Sequence, residues 1–128
     1  MSDPRRVNEQ SSGLVTLLFT ALKGSTEVLS QAGDEEAQRI FVAHHDLLTS
    51  AAAAHRGQEV KWLGDGLMVA FSSAADAVSC AIAMQRASRR PIQGKRLSIR
   101  VGLAAGEALR DVGDYFGTPV VVARRLCD

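Results

Sequence analysis

Two short segments carry the residue types that nucleotide chemistry needs. The first, Thr20-Ala21-Leu22-Lys23-Gly24-Ser25-Thr26, leaves an apolar run, passes a glycine and enters residues suited to a helix start. A loop that opens into a helix N-terminus turns unpaired backbone N–H groups toward a phosphate, backed by the positive end of the helix dipole. Gly24, Ser25 and Thr26 are the candidates for that contact. The second segment, Gly64-Asp65-Gly66, sets one carboxylate on a glycine-flanked tip. Such a carboxylate has room to approach a magnesium ion that shares the same phosphates. Alone, the two segments point only weakly to a nucleotide site, because most Asp-Gly tips are plain turns.

Neighbouring signals lead nowhere comparable. Lys23-Gly24-Ser25-Thr26 has the composition of a phosphate-binding loop, but that motif sets its glycine before the lysine. His44 and His45 project about 100° apart on a helix and cannot share a face as metal ligands. His44 falls on an apolar stripe and reads as a packing residue. Cys80 and Cys127 lack CxxC spacing, which argues against a zinc site or disulfide framework and fits two reduced thiols. No Ser-His-Asp or Cys-His arrangement has local support.

The elements that must position the two segments follow from periodicity. Leu14–Thr20 is a short β-rich apolar run, preceded by polar residues 1–13 that read as a mobile N-terminal leader. Ser25 suits the N-cap of a short helix. Asp34-Glu35-Glu36 opens a second helix, with Ile40, His44, Leu47 and Ala51 on one stripe and Gly57 at its end. Glu59–Leu63 and Leu67–Phe71 form a hairpin around Gly64-Asp65-Gly66. Ala74–Ala87 reads as a helix with Ala74, Val78, Ala81, Ile82 and Gln85 on its stripe, ended by Pro91. Leu97–Leu103 alternates as a strand, Gly106 and Gly113 bracket a turn region, and Pro119 sits near the start of a final helix. The order predicts an α+β, ferredoxin-like βαββαβ sandwich with its helices on one face. In that topology the first and third strands are antiparallel neighbours, so Thr20–Thr26 and the Gly-Asp-Gly tip share one edge.

Composition narrows the partners. The chain has 128 residues, which suits one domain, with 15 Lys+Arg against 14 Asp+Glu for a net charge of +1. That balance, with only 5% aromatic residues, argues against nucleic acid as a partner. No apolar run approaches the roughly 20 residues of a membrane span, and the polar start has no signal-peptide core. Neither a membrane nor a secretory route is expected, and a cytoplasmic protein is.

Four separated segments, in order, say more: VTLLFTALKGST, VKWLGDGLMVAF, SIRVGLAAGE and GDYFGTPVVVARRL. Together they closely resemble the class III nucleotidyl cyclase catalytic domain, in particular bacterial stand-alone or regulator-attached forms, over residues 14–128. The resemblance implies conversion of ATP to 3′,5′-cyclic AMP and pyrophosphate. The 3′-hydroxyl attacks the α-phosphate in line, helped by two Mg²⁺ or Mn²⁺ ions. It implies two metal-holding aspartates, of which Asp65 is the second; Ala21 stands where the first would be. Leu22 matches the position whose backbone carbonyl reaches the second ion. Lys61 and Asp114 match the base-recognition pair, which suits adenine: N1 accepts from Lys61 and the N6 amine donates to Asp114. Arg125 matches the catalytic arginine that stabilises the transition state, while Val121 replaces an asparagine with the same task. The resemblance further implies a head-to-tail homodimer, with the metal side from one subunit and the base and arginine side from the other. Such domains usually continue past this last helix, so 14–128 reads as a domain incomplete at its C-terminus.

Ala21 and Val121 remove one carboxylate and one amide donor. Weak or absent turnover is therefore expected for the chain as written. The alternative is a non-catalytic nucleotide-binding or dimerisation module that keeps the fold. An RNA-binding sheet of similar topology is disfavoured, because the central strands lack the exposed aromatics it would use.

Overall fold

The structure, a computed structural model, describes residues 10–24, 27, 30–92 and 94–128. Its core is an antiparallel sheet of β1 (Gln10–Lys23), β2 (Gln58–Leu63), β3 (Gly66–Phe71), β4 (Ser98–Asp111) and β5 (Asp114–Phe116), in the order β2-β3-β1-β4-β5. Among the described residues, the helices α1 (Asp34–Ala54), α2 (Ala74–Ser88) and α3 (Thr118–Cys127) pack on it. The central strand β1 pairs with β3 on one side (Leu17 opposite Ala70) and β4 on the other (Leu17 opposite Ala104).

Successive side chains of a strand point to opposite faces, and here both faces are covered. Leu18, Leu67, Val69, Phe71 and Ile99 pack under α1 and α2, against Leu48, Ala52, Ala77, Cys80 and Met84. Leu17, Phe19, Met68 and Ala70 pack on the reverse side against Ala123 and Cys127 of α3. Every residue of β3 is consequently buried. The expectation that all helices share one face thus holds for α1 and α2 but fails for α3. The reason is visible in β4. A Cβ at Gly102 would lie 2.2 Å from the Ala123 carbonyl oxygen, and one at Gly106 would lie 2.9 Å from Pro119 Cγ. Those bare positions let the helix rest directly on the strand.

Three further readings change. Gly106 lies in mid-strand opposite Val15, not at a turn, because β4 continues to Asp111. The turn is Val112-Gly113, with φ of 49° and 76°, the positive pair of a type I′ hairpin. Residues 10–13 of the expected leader belong to β1, where Gln10–Gly13 pair with Ala108–Asp111; residues 1–9 lie outside the described part. On α2 the buried residues are Ala77, Cys80 and Met84, whereas Val78 and Ile82 are about half exposed. That helix is apolar nearly all round, so periodicity does not single out a face. On α1 the fully buried set is Ile40, His44, Leu48 and Ala52, flanked by Leu47 and Ala51.

The sheet also curls. In a flat sheet the edge strands β2 and β5 would stand about 19 Å apart, at about 4.8 Å per strand. Instead Lys61 of β2 and Asp114 of β5 touch at 2.8 Å. Val60 and Tyr115 likewise join one core with α3. The long β1–β4 ladder coils with its natural twist and folds β5 back over the reverse face.

Candidate functional site

The curl and the hairpin produce two clusters of chemistry-bearing residues. The first is at the β2–β3 tip. Leu63 pairs with Gly66, leaving Gly64-Asp65 as a two-residue turn; Gly64 takes φ +63°, as the first central residue of a type II′ turn does. The Leu67 N–H donates to Thr20 Oγ1 at 2.9 Å, in a buried position. A Cβ at Gly66 would lie 2.4 Å from the Thr20 carbonyl oxygen. The tip is therefore clamped to the strand end just before Ala21.

A cleft of about 160 Å³ opens there, lined among others by Thr20, Ala21, Asp65, Gly66, Arg124 and Asp128. The expected meeting of the strand end and the tip is thus realised. Ala21 contributes a methyl group to it, and Arg124 brings a positive charge. Among the described residues no group of three or more His, Cys, Asp or Glu side chains is placed to hold a metal ion. The residues present do not fit a two-ion site. Leu22 stands opposite Ile99 in the β1–β4 ladder, one residue beyond the cleft lining, and its side chain packs on the first core. Gly24, with φ +69°, follows β1 and is exposed; Ser25 and Thr26 lie outside the described residues.

The second cluster is the Lys61–Asp114 pair. Lys61 Nζ donates to Asp114 Oδ2 at 2.8 Å, and the Tyr115 N–H donates to Asp114 Oδ1 at 2.7 Å. Partial burial pushes the Asp114 carboxyl up. The hydrogen bonds from Lys61 and Tyr115, with the lysine's charge, outweigh that and hold it below the usual carboxylate range. Both side chains stay partly open to solvent, at 40% and 28%. A donor and an acceptor thus stand side by side, able to exchange each other for a ligand that offers both.

On α3, Val121 and Arg125 lie one turn apart and both are exposed, as are Val122 and Leu126. Arg125 makes no hydrogen bond or ion pair among the described residues, and the Asp65 cleft is lined by its neighbour Arg124 instead. The chain therefore brings Ala21 to Asp65, and Lys61 to Asp114, while Arg125 is exposed and does not line the cleft of its own chain. Sequence reasoning missed Arg124 and Asp128 as cleft residues. Their helical spacing from Ala123 and Cys127, which face the sheet, was the available signal.

Comparison with known proteins bears on the family and the fold. The family model for the adenylate and guanylate cyclase catalytic domain matches residues 7–127. An uncharacterized protein of Mycobacterium tuberculosis is 38% identical over 121 residues, covering 91% of this chain and 40% of the relative. The provisionally named adenylate cyclase 3 of Rhizobium meliloti is 35% identical over 85 residues, covering 63% of this chain and 14% of the relative. The chain thus spans less than half of either protein. Among solved structures, an adenylate/guanylate cyclase/hydrolase from Silicibacter pomeroyi superposes with a TM-score of 0.78 at 28% identity, covering 92% of this chain and 71% of that one.

Proposed function

This chain belongs to the adenylate and guanylate cyclase catalytic domain family, and from that membership we propose that it is an ATP-directed, adenylate cyclase-like domain whose turnover is weak or absent. The observation that carries the base assignment is the Lys61–Asp114 contact at 2.8 Å. Adenine offers an acceptor at N1 and a donor at N6, so the lysine and the carboxylate each find a complementary partner on one edge. Guanine reverses both roles there and leaves two charged groups mismatched. The name of the Rhizobium relative supports the same choice of base.

The remaining roles divide between two copies. Arg125, exposed on α3 and absent from its own cleft lining, suits a guanidinium that forks onto the phosphates held by a second subunit. Exposed Val122 and Leu126 beside it give that helix an apolar rim consistent with a head-to-tail homodimer. Use of ATP would fit a cytoplasmic protein, and no helix among the described residues is long and apolar enough to cross a membrane.

Low turnover follows from the cleft. Asp65 stands at the tip, Ala21 gives no carboxylate, and Val121 cannot donate a hydrogen bond. Among the described residues, those present do not make a two-ion site. The same two positions favour a second reading, a non-catalytic nucleotide-binding or dimerisation module.

Incubation with ATP and Mn²⁺ or Mg²⁺, followed by measurement of cyclic AMP, separates the two. The chain as written should give little or none, and Ala21→Asp should give readily measurable product. A folded, dimeric Ala21→Asp that stays silent supports the non-catalytic module and removes the enzymatic reading. Substantial turnover by the unmodified chain would instead refute the argument from Ala21. Lys61→Glu should lower the preference for ATP over GTP, and an unchanged ratio would remove its role in base selection.

A further inference from the structure

Asp65 lines a second and larger cavity as well. This one, of about 510 Å³, lies between α1 and the β2–β3 tip. Phe41, Val42 and His45 of α1 and Trp62 of β2 supply most of its apolar lining, and Asp46 and Asp65 are its charged groups among the described residues. The volume falls within the range of small-molecule sites.

Its aromatic wall is set in advance. The His45 ring stacks on Trp62 with centroids 4.1 Å apart and planes 19° apart. The Trp62 indole N–H donates to Glu59 Oε1 at 2.5 Å, which fixes the ring. His44 also lines the cavity. It is only 3% exposed and has no hydrogen-bond partner among the described residues. Burial lowers its pKa, more than Asp65 raises it, so its imidazole stays neutral and offers a ring nitrogen as acceptor. Meanwhile α1 leaves Phe41 and Val42 at 37% and 50% exposure beside it.

Two carboxylates, a neutral buried acceptor and the π-faces of Trp62 and His45 all favour one charge type, and no lysine or arginine lines the cavity among the described residues. We propose that this cavity binds a small organic cation: an amine carried on an apolar, preferably aromatic body. The body lies against Phe41, Val42 and the Trp62–His45 wall, and the ammonium lies between Asp46 and Asp65. The binding claim shares Asp65 with the cyclase cleft but uses neither Lys61, Asp114 nor any turnover, so its test on Asp46 reads it separately.

Trp62 is the chain's single tryptophan, so its fluorescence reports on this wall alone. The probes are 3-phenylpropylamine and 3-phenylpropan-1-ol, which share a body and differ in charge. The amine should change the emission saturably, with a dissociation constant in about the millimolar range for a ligand of about ten non-hydrogen atoms. The alcohol should bind about tenfold more weakly, and Asp46→Asn, at an exposed helix position, should weaken the amine about three- to fivefold and leave the alcohol unchanged. Absence of a saturable response to the amine overturns the proposal. So does equal affinity for amine and alcohol, or indifference of the amine to Asp46→Asn.

Discussion

Replacing Gly102 with alanine adds one methyl group at the tightest seam of the molecule. The new Cβ would lie 2.2 Å from the Ala123 carbonyl oxygen, 2.7 Å from the Cys127 nitrogen and 3.2 Å from Cys127 Cβ. Real Cβ contacts essentially never fall below 3.0 Å, and the two nearest atoms are helix backbone, which no rotamer change can remove. Helix α3 must therefore lift by nearly an ångström, loosening Ala123 and Cys127 from Leu17, Phe19, Met68 and Ala70. Overpacking of this kind costs about 1–3 kcal/mol, and a rigid backbone contact belongs at the upper end. Alanine returns only a few tenths of a kcal/mol by restricting the unfolded chain. At about 4 °C per kcal/mol for this size of domain, Tm should fall by about 8–12 °C. Gly13→Ala is the control: it sits in the same β1–β4 ladder with nothing within 4 Å of its Cβ, and should leave Tm within about 2 °C. Calorimetry at matched protein concentration, since self-association also shifts Tm, compares the two. Amide exchange should show the added opening concentrated in α3, and, on the proposed cyclase-like reading, nucleotide affinity should drop with it because Arg125 rides on that helix. If Gly102→Ala melts together with Gly13→Ala, the reasoning about how α3 is seated fails.

Other outcomes follow from single contacts. Thr20→Val keeps the shape but leaves the buried Leu67 N–H without its acceptor, so urea unfolding should lose about 1–3 kcal/mol, with Thr20→Ser retaining most of the stability. Lys61→Met removes the charge that lowers the Asp114 pKa. A carboxyl with a depressed folded pKa stabilises above its unfolded pKa and loses that contribution as pH falls through the folded one. The variant should therefore be less stable than the parent near neutrality, by less than about 1 kcal/mol for so exposed a pair, and the gap should close in acid. Denaturant midpoints across pH measure this, and a gap that widens toward low pH would contradict it. Ser73→Ala deletes the N-cap of α2, where Ser73 Oγ accepts from the Asp76 N–H at 3.2 Å, and should cost about 1 kcal/mol in the same assay.

Much of the architecture is legible in local pattern, and the misses have identifiable causes. The β2–β3 hairpin was readable because strong β-formers flank a Gly-Asp-Gly turn, and its position beside β1 follows from topology alone. The far half of β4 was not. In Ala104–Ala108 four of five residues are glycine or alanine, a composition with low intrinsic strand preference, and it is a strand because β1 pairs along it and α3 rests on it. The buried face of α2 was hidden by a surplus of apolar residues, and the placement of α3 by close approach, which no periodicity encodes. The adjacency of Lys61 and Asp114 depends on the curl of the whole sheet. Nothing local to either residue announces it, and only the likeness of four separated segments drew the two together. Arg124 and Asp128 become legible only once α3 is seated on the sheet by Ala123 and Cys127, because each follows one of those residues along the helix.

The central place of β1 has a consequence for how the chain comes to fold. Leu17 finds its partners at Ala70 and Ala104, so the middle strand is synthesised long before either neighbour. At ordinary translation rates, roughly 5–20 residues per second, its apolar run waits on the order of 3–10 seconds with both edges bare, and one edge stays bare until β4 follows. Such non-local pairing is intrinsically slow, and an unpaired apolar strand invites association with other chains. Soluble yield should therefore depend on cooler expression or on chaperones that hold the emerging Leu14–Phe19 segment until β4 arrives.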